Sequence, residues 1–146
     1  MRKPYTLFPL ATPNPITNES FISVPMVKVR LGIKGITTPR FDAVVDSGSP
    51  SCLFHTDFAK LLKLDLEAGI VTPLSGVHGS TADAYFHKIK IYVESDWVFE
   101  VLAGFVKGSN VNGLLGRHGF FDNFHVGFDH SVKPPEFEIT RIQRPS

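Results

Sequence analysis

The stretch FDAVVDSGSPSCLF, residues 41–54, places a carboxylate at the end of an apolar segment. Two valines lead directly into Asp46, and Ser47 and Gly48 follow before the chain becomes apolar again. A carboxylate beside a buried strand needs a partner or water, because an unpaired buried charge is unfavourable. The strand fixes the direction of the carboxylate, and the glycine lets the backbone fold closely against it. The stretch therefore predicts a β-strand that ends in a turn built around Asp46.

Short β-strands are predicted on both sides of this stretch. Apolar residues alternate with lysine and arginine from Val27 to Lys34, which is typical of a half-buried strand. Residues 84–94 alternate in the same way, and residues 97–106 are apolar on both faces, which predicts a buried strand. Further β segments are predicted at 40–46, 70–79, 112–116 and 125–140, the last interrupted by two prolines. This pattern predicts a mainly β domain that forms a small closed barrel.

One short helix and one or two helical turns complete the prediction. Residues 56–69 carry leucine and phenylalanine at helical spacing, with Thr56 expected to cap the helix and Gly69 expected to end it. The sequence RHGFFDNF, residues 117–124, is expected to form one or two helical turns.

Length and composition predict one globular domain preceded by an arm. The chain has 146 residues, of which 42% are hydrophobic and 20% charged, as in ordinary globular proteins. Residues 1–20 contain four prolines and are expected to form an N-terminal arm, either loose or extended on a surface. Residues 21–146 are expected to form the single domain.

Charge and targeting signals narrow the expected partners and location. The net charge of +1 gives no electrostatic footprint for nucleic acid or for an anionic membrane. The single cysteine excludes an intramolecular disulfide and agrees with a reducing compartment. Prolines interrupt the basic N-terminus before a signal-peptide core, and no apolar run reaches membrane-spanning length. We therefore expect a cytoplasmic protein.

Three motifs, in order along the chain, resemble those of the retropepsin-like aspartic proteases. The Asp-Ser-Gly turn at 46–48 is similar to the catalytic turn of that family, and the flanking apolar residues fit as well. SGVHGSTADAY, residues 75–85, resembles the glycine-rich flap hairpin. VNGLLGRHGFFDNF, residues 111–124, resembles the segment in which an apolar pair, glycine and arginine open a short helix. The Asp-Ser-Gly triplet alone is weak evidence for the family, but the three motifs together are specific to it and cover about residues 24–130.

The resemblance implies an aspartic endopeptidase of the single-domain, prokaryotic type, acting on peptide or protein substrates without a cofactor. In such enzymes two facing carboxylates share a proton, so that one activates a water and the other protonates the scissile carbonyl. The chain contains a single Asp-Ser/Thr-Gly triplet. The resemblance therefore implies a symmetric homodimer in which Asp46 meets its own counterpart on the two-fold axis.

The resemblance also implies roles for the residues around Asp46. The active-site turn comprises Ser47, Gly48 and Ser49, and Ser47 would brace the two turns across the dimer. The flap residues that would close over substrate are Gly76, Val77, His78 and Gly79. Gly116 and Arg117 would give structural support. Pro50 and Ser51 stand where retroviral members often carry an aspartate that pairs with the arginine, so the partner of Arg117 stays open.

The hydroxyl of Ser49 lies two residues beyond the carboxylate of the turn. A hydrogen bond from that hydroxyl to ionised Asp46 would lower the pKa of the carboxylate. We therefore expect Ser49 to shift activity to more acidic pH than an alanine would.

Plainer interpretations exist for the same residues. Asp46 alone fits a turn aspartate, the flap glycines fit an ordinary hairpin, and His78 fits an exposed histidine. Cys52 is expected in the core, since His55 would point to the opposite face of a strand and cannot activate it. No metal site is expected, because no ligand spacing is formed by the histidines at His118, His125 and His130.

Two functions other than an active protease also fit the sequence. One is a retropepsin-like domain with weak or absent hydrolysis that serves as a dimerisation or peptide-binding module. The other is a processing domain within a larger polypeptide, although the starting methionine favours an independent protein.

Overall fold

The computed structural model describes residues 1–75, 81–94 and 97–145. The protein is mainly β, with 54% of the described residues in strands and 7% in helices. In chain order the strands are β1 (Arg2–Pro4), β2 (Thr6–Pro9), β3 (Phe21–Val24), β4 (Met26–Ile33), β5 (Ile36–Thr37), β6 (Phe41–Val45), β7 (Leu53–His55), β8 (Ile70–Ser75), β9 (Thr81–Val93), β10 (Trp97–Val106), β11 (Gly113–Leu115), β12 (Phe124–Asp129) and β13 (Glu136–Arg141). One α-helix, α1 (Thr56–Leu61), and a 3₁₀ turn (Leu66–Ala68) separate β7 from β8.

The chain forms two compact units. One comprises residues 1–26 together with residues 124–146, and the other comprises residues 27–123. Among the described residues, no helix is both long enough and apolar enough to cross a membrane.

The unit of residues 27–123 contains a closed barrel of six strands, which confirms the predicted architecture. The strands follow the order β4–β6–β11–β7–β10–β9, and β9 pairs back with β4 to close the barrel. β5 and β8 extend the sheet at its two ends. The alternation predicted for β4 is confirmed, because Val27, Val29 and Leu31 are buried while Lys28 is exposed.

The burial predicted for both faces of β10 holds for only half of the strand. Glu100 and Leu102 are exposed, whereas Ala103 to Phe105 are buried without interruption. The buried half gains a second neighbour, since β10 pairs with β7 from Gly104 onward as well as with β9. Side chains of β7 and β9 also cover Gly104 so closely that a Cβ there would lie within 3 Å of them.

The helix predicted over residues 56–69 is shorter than expected. α1 is capped by His55 rather than Thr56, because the His55 Nδ1 accepts a hydrogen bond from the N–H two residues on. Lys63 adopts a left-handed φ of 57°, which a continuing helix does not allow. Gly69 follows the 3₁₀ turn with an ordinary φ of −76° and is not a left-handed cap.

The helical turns expected over residues 117–124 are irregular turns instead. Gly119 has a φ of 105°, outside the helical region, and its N–H donates to the Asp122 carboxylate at 3.0 Å. Such side-chain bonds to the backbone compete with helix formation. The segment therefore leads directly into β12.

The other unit pairs the two ends of the chain. β1 pairs antiparallel with β13, which also pairs with β12, so that β1 lies at an edge of a three-stranded sheet. β2 and β3 form a two-stranded antiparallel sheet. The predicted N-terminal arm is therefore extended and paired over β1 and β2, and an edge position tolerates the proline that ends β1.

Tyr5, between β1 and β2, packs within this unit. Its side chain is almost fully buried, and its ring meets those of Phe128 and Phe137 edge to face. The Tyr5 hydroxyl lies 2.9 Å from His130 Nε2, within hydrogen-bonding distance. Burial raises the pKa of the Tyr5 phenol.

Candidate active site

The Asp-Ser-Gly turn begins where β6 leaves the barrel. β11 lies between β6 and β7, parallel to the first and antiparallel to the second. The Asp46 N–H donates to the Leu115 carbonyl at 3.0 Å, which carries this pairing one residue beyond β6. Because Val45 and Leu115 are both buried in the core, the backbone of Asp46 is fixed at the end of the barrel strand.

The carboxylate of Asp46 is partly exposed and folds back over its own turn. Asp46 Oδ1 accepts a hydrogen bond from the Gly48 N–H at 2.9 Å, and the Asp46 carbonyl accepts one from the Ser49 N–H at 3.2 Å. A Cβ at Gly48 would lie 3.1 Å from Oδ1, so a larger residue there would press on the carboxylate. Within the described residues, Asp46 forms no ion pair. The carboxylate is thus oriented by the backbone and accessible from outside.

Arg117 fastens the turn from the side of β11. Its Nη1 donates to the Ser47 carbonyl at 2.9 Å and to the Gly48 carbonyl at 3.3 Å. Its backbone N–H donates to the Ser49 carbonyl at 2.9 Å. Three consecutive carbonyls of the turn therefore bind one residue. The partner of Arg117, which the sequence left open, is the main chain of the turn.

Gly116 allows the two segments to approach this closely. A Cβ at Gly116 would lie 2.2 Å from the Ser51 carbonyl oxygen and 2.7 Å from that of Ser49. Just beyond, Ser51 and His118 form a parallel bridge, and the His118 N–H donates to the Pro50 carbonyl at 2.9 Å. Sequence reasoning did not find these backbone acceptors, although a glycine beside the arginine indicates a close backbone approach.

The hydrogen bond expected from Ser49 to the carboxylate is not formed. Ser49 is buried, and its hydroxyl donates to the Ser51 carbonyl at 2.7 Å. A serine hydroxyl has one proton to donate, so this bond uses it. The Ser49 side chain therefore stabilises the segment that leaves the turn, residues 49–51. The neighbouring Ser47 side chain is exposed, as a contact across a dimer would require.

The predicted flap residues Gly76, Val77, His78 and Gly79 lie outside the described residues. The strands on either side of them are described. β8 and β9 pair antiparallel from Ile70↔Phe86 to Ser75↔Thr81, so the predicted flap residues connect two neighbouring strands.

Cys52 and His55 have separate structural roles. Cys52 is fully buried, and burial raises the pKa of its thiol to about 11. Its Sγ donates to the His118 carbonyl at 3.6 Å. His55 caps α1. In the part of the chain that the structure describes, no three His, Cys, Asp or Glu side chains come together in a group that could hold a metal ion.

No protein-family model matches the chain, and no curated protein is significantly similar to it. The chemistry of the site therefore carries the functional argument. An accessible carboxylate in a fixed orientation can act as a general base toward water or, when protonated, as a general acid.

Proposed function

We propose that the protein is an aspartic endopeptidase of the retropepsin-like type that works as a symmetric homodimer. The observation that carries the proposal is the anchoring of the Asp46 turn by Arg117 through three successive carbonyls. Surface turns do not need such fixation for stability alone, whereas a catalytic carboxylate depends on being held in one position. The order of the Asp-Ser-Gly turn, the flap-like hairpin and the Gly-Arg pair along the chain supports the same family.

The second carboxylate of the dyad comes from Asp46 of a second copy. Two carboxylates that face each other cannot both ionise readily, so they share one proton. The ionised carboxylate takes a proton from a water molecule, whose oxygen attacks the scissile carbonyl carbon. The protonated carboxylate gives its proton to the carbonyl oxygen, and a gem-diol results without a covalent intermediate. Collapse of the gem-diol breaks the C–N bond, and the leaving amine takes up a proton from the dyad.

The substrate is an extended polypeptide segment. In this proposal the predicted flap, residues 76–79, closes over the substrate and binds its backbone in the manner of an added strand. No cofactor takes part. A cytoplasmic location fits the single cysteine, which cannot form an internal disulfide.

The test is cleavage of a diverse peptide mixture, followed by mass spectrometry from pH 3 to pH 7. Native chain is compared with Asp46→Asn and with Asp42→Asn, a matched control on the same strand. Asp42 forms an exposed ion pair with Lys28 at 3.2 Å, so its loss should have little effect. Cuts made by the native chain and by Asp42→Asn, and absent from Asp46→Asn, would support the proposal.

Two other outcomes would overturn it. Cuts that persist in Asp46→Asn would show that Asp46 is not the catalytic group. Absence of cleavage by a native preparation shown to be dimeric would instead favour the dimerisation or peptide-binding module. In that case peptide binding should survive in Asp46→Asn.

A further inference from the structure

The outer face of the barrel strands β4 and β9 collects basic side chains. The two strands pair antiparallel from Val29↔Val93 to Gly32↔Lys90, and their inward-facing valine, leucine and isoleucine side chains are buried in the core. Because side chains alternate along a strand, the residues between them project outward. Two further cations flank these strands, one after β4 and one before β6. The resulting basic face comprises Lys28, Arg30, Lys34, Arg40, Lys88 and Lys90.

Two depressions lie on the basic face and share Tyr92 in their linings. The first has a volume of about 240 Å³, and its lining includes the basic residues Lys28, Arg30 and Arg40. The second has a volume of about 390 Å³, and its lining includes the basic residues Lys34, Lys88 and Lys90. Because Tyr92 belongs to both, the two depressions adjoin and form one basic groove.

The Tyr92 ring lies against the backbone of β4. A Cβ at Gly32 would lie 2.9 Å from Tyr92 Cε2, so the missing side chain leaves room for the ring. The guanidinium carbon of Arg30 lies 5.2 Å from the centroid of the Tyr92 ring, within the range of a cation–π contact. This contact orients Arg30 without using its N–H groups as hydrogen-bond donors to oxygen. The guanidinium is therefore held in place with its N–H groups available to a ligand.

Four of the six cations lack a carboxylate partner. Lys28 pairs with Asp42 at 3.2 Å, and Lys88 pairs with Glu100 at 3.0 Å. No ion pair is formed within residues 1–75, 81–94 and 97–145 by Arg30, Lys34, Arg40 and Lys90. Residues 27–123 contain ten basic and ten acidic residues, so the balanced charge of the barrel unit hides this local excess of cations.

We infer that the basic face is an exosite that binds an acidic segment of a polypeptide substrate. That the occupant is a substrate rests on the proposed endopeptidase activity, whereas the recognition itself rests on charge complementarity. An arginine binds a carboxylate through two parallel N–H bonds, and a lysine attracts it as a point charge. Alternate residues of a strand lie about 7 Å apart, as do alternate side chains of an extended peptide. A segment with an acidic residue at every second position therefore matches the spacing of Lys28 and Arg30.

A nucleic acid fits the basic face less well than an acidic peptide does. Its backbone carries a negative charge on every nucleotide, and proteins that bind it neutralise several phosphates. The carboxylates of Asp42, Glu94 and Glu100 lie among the cations of the basic face. A peptide can place an uncharged residue opposite each of these carboxylates, whereas a phosphate backbone cannot. The charge pattern therefore favours a peptide.

The basic face is separate from the Asp46 turn. Arg40 immediately precedes β6, and Asp46 immediately follows it. Six residues of an extended strand span about 20 Å. A substrate that reaches both places therefore carries its acidic segment at least about six residues away from the scissile bond. Because this contact is remote from the reacting atoms, it should lower KM and leave kcat unchanged.

The decisive test compares two peptides that share one cleavage sequence, taken from the cuts made by the native chain. In each, a flexible linker of about twelve Gly and Ser residues leads to a tail, which alternates Glu with Ser in one peptide and Gln with Ser in the other. The native chain should cut the Glu peptide with a KM about tenfold lower and the same kcat, because several exposed ion pairs each contribute modestly. The double variant Arg30→Gln/Arg40→Gln should lose this difference.

Lys60→Gln/Lys107→Gln is the matched control for that double variant. It removes two exposed cations of the barrel unit that lie outside the basic face. The control should keep the tenfold difference in KM between the two peptides. Circular dichroism verifies that both double variants keep their strands.

Binding without cleavage gives a second measurement. A fluorescein-labelled tail of alternating Glu and Ser, without the cleavage sequence, is titrated with each chain and followed by anisotropy. Its Kd should rise about tenfold in Arg30→Gln/Arg40→Gln and stay unchanged in Lys60→Gln/Lys107→Gln, and salt should weaken the binding to the native chain. A single-stranded oligonucleotide of equal charge should bind more weakly than the tail. Tighter binding of the oligonucleotide would overturn the peptide as the occupant.

The outcomes separate this inference from the proposed function. Equal KM values for the two peptides, or a preference for Glu that survives in Arg30→Gln/Arg40→Gln, would overturn the inference and leave the enzyme standing. If the labelled tail binds the native chain and loses affinity in Arg30→Gln/Arg40→Gln while no peptide is cut, the acidic-peptide site stands and the endopeptidase activity is refuted.

Discussion

Substitution of Gly116 by alanine tests whether the close backbone approach holds the Asp46 turn. The new Cβ would lie 2.2 Å from the Ser51 carbonyl oxygen, 2.6 Å from the Ser51 carbonyl carbon and 2.7 Å from the Ser49 carbonyl oxygen. All three are backbone atoms, so no side-chain rotation relieves the clash. The segment from residue 49 to residue 51 must move away from β11.

The magnitude follows from the clash and from the bonds that the movement breaks. Overpacking against a rigid neighbour costs about 1–3 kcal/mol. The hydrogen bonds from the Arg117 and His118 N–H groups to the turn add about 1 kcal/mol each when they are lost. We expect the free energy of unfolding to fall by about 3–5 kcal/mol, a large part of the 5–15 kcal/mol that is usual for a domain. Cleavage that depends on Asp46 should fall with it.

The assay is urea unfolding followed by circular dichroism and by the fluorescence of Trp97, the only tryptophan in the chain. Gly127→Ala is the matched control, because a Cβ at Gly127 meets nothing within 4 Å and its φ is not left-handed. The free energy of unfolding of the control should lie within about 0.5 kcal/mol of that of the native chain. A Gly116→Ala chain as stable as Gly127→Ala would refute the close packing of turn and strand.

Three further outcomes are expected. Ser49→Ala should lower the free energy of unfolding by about 1 kcal/mol, because the Ser49 hydroxyl binds the Ser51 carbonyl. For the same reason the pH–rate profile should stay unchanged. A shift of that profile to higher pH would show instead that the hydroxyl acts on the Asp46 carboxylate. Arg117→Ala should abolish most cleavage while circular dichroism stays native. Arg117→Lys should rescue little, because the shorter lysine side chain does not carry its ammonium to the position of Arg117 Nη1, which donates to both carbonyls. Full activity in Arg117→Ala would contradict the anchoring role. With its pKa raised to about 11, the Cys52 thiol is only about 0.1% thiolate at pH 8. It should therefore react slowly with a disulfide reagent in the folded protein and rapidly in denaturant. Equal reaction rates would contradict the burial of Cys52.

The strands of the barrel were predictable because their signal is local. The alternation from Val27 to Ile33 places every second side chain on one face, and the structure buries that face in β4. β12 and β13 likewise flank the predicted interruption at two prolines. A period of two residues needs no knowledge of distant neighbours, so the mainly β class and the barrel could be read from the sequence.

The helical segments were predicted less well, because one residue decides where a helix ends. Apolar spacing from Phe58 to Leu66 continues past the point where Lys63 turns left-handed. At 117–124 the left-handed φ of Gly119 and its bond to the Asp122 carboxylate replace the expected helical turns. Hydrophobic periodicity predicts neither feature, since each depends on the backbone torsion angles of a single residue.

The sequence by itself determined where Asp46 lies, since the apolar residues that lead into Asp-Ser-Gly place it at the end of a buried strand. Only the tertiary structure decided what binds that turn. Arg117 reaches Ser47 from 70 residues further along the chain, and Ser49 turns its single proton toward a carbonyl instead of the carboxylate. Hydrogen bonds of this kind depend on which distant backbone groups the barrel brings within about 3 Å, and no local pattern encodes that distance.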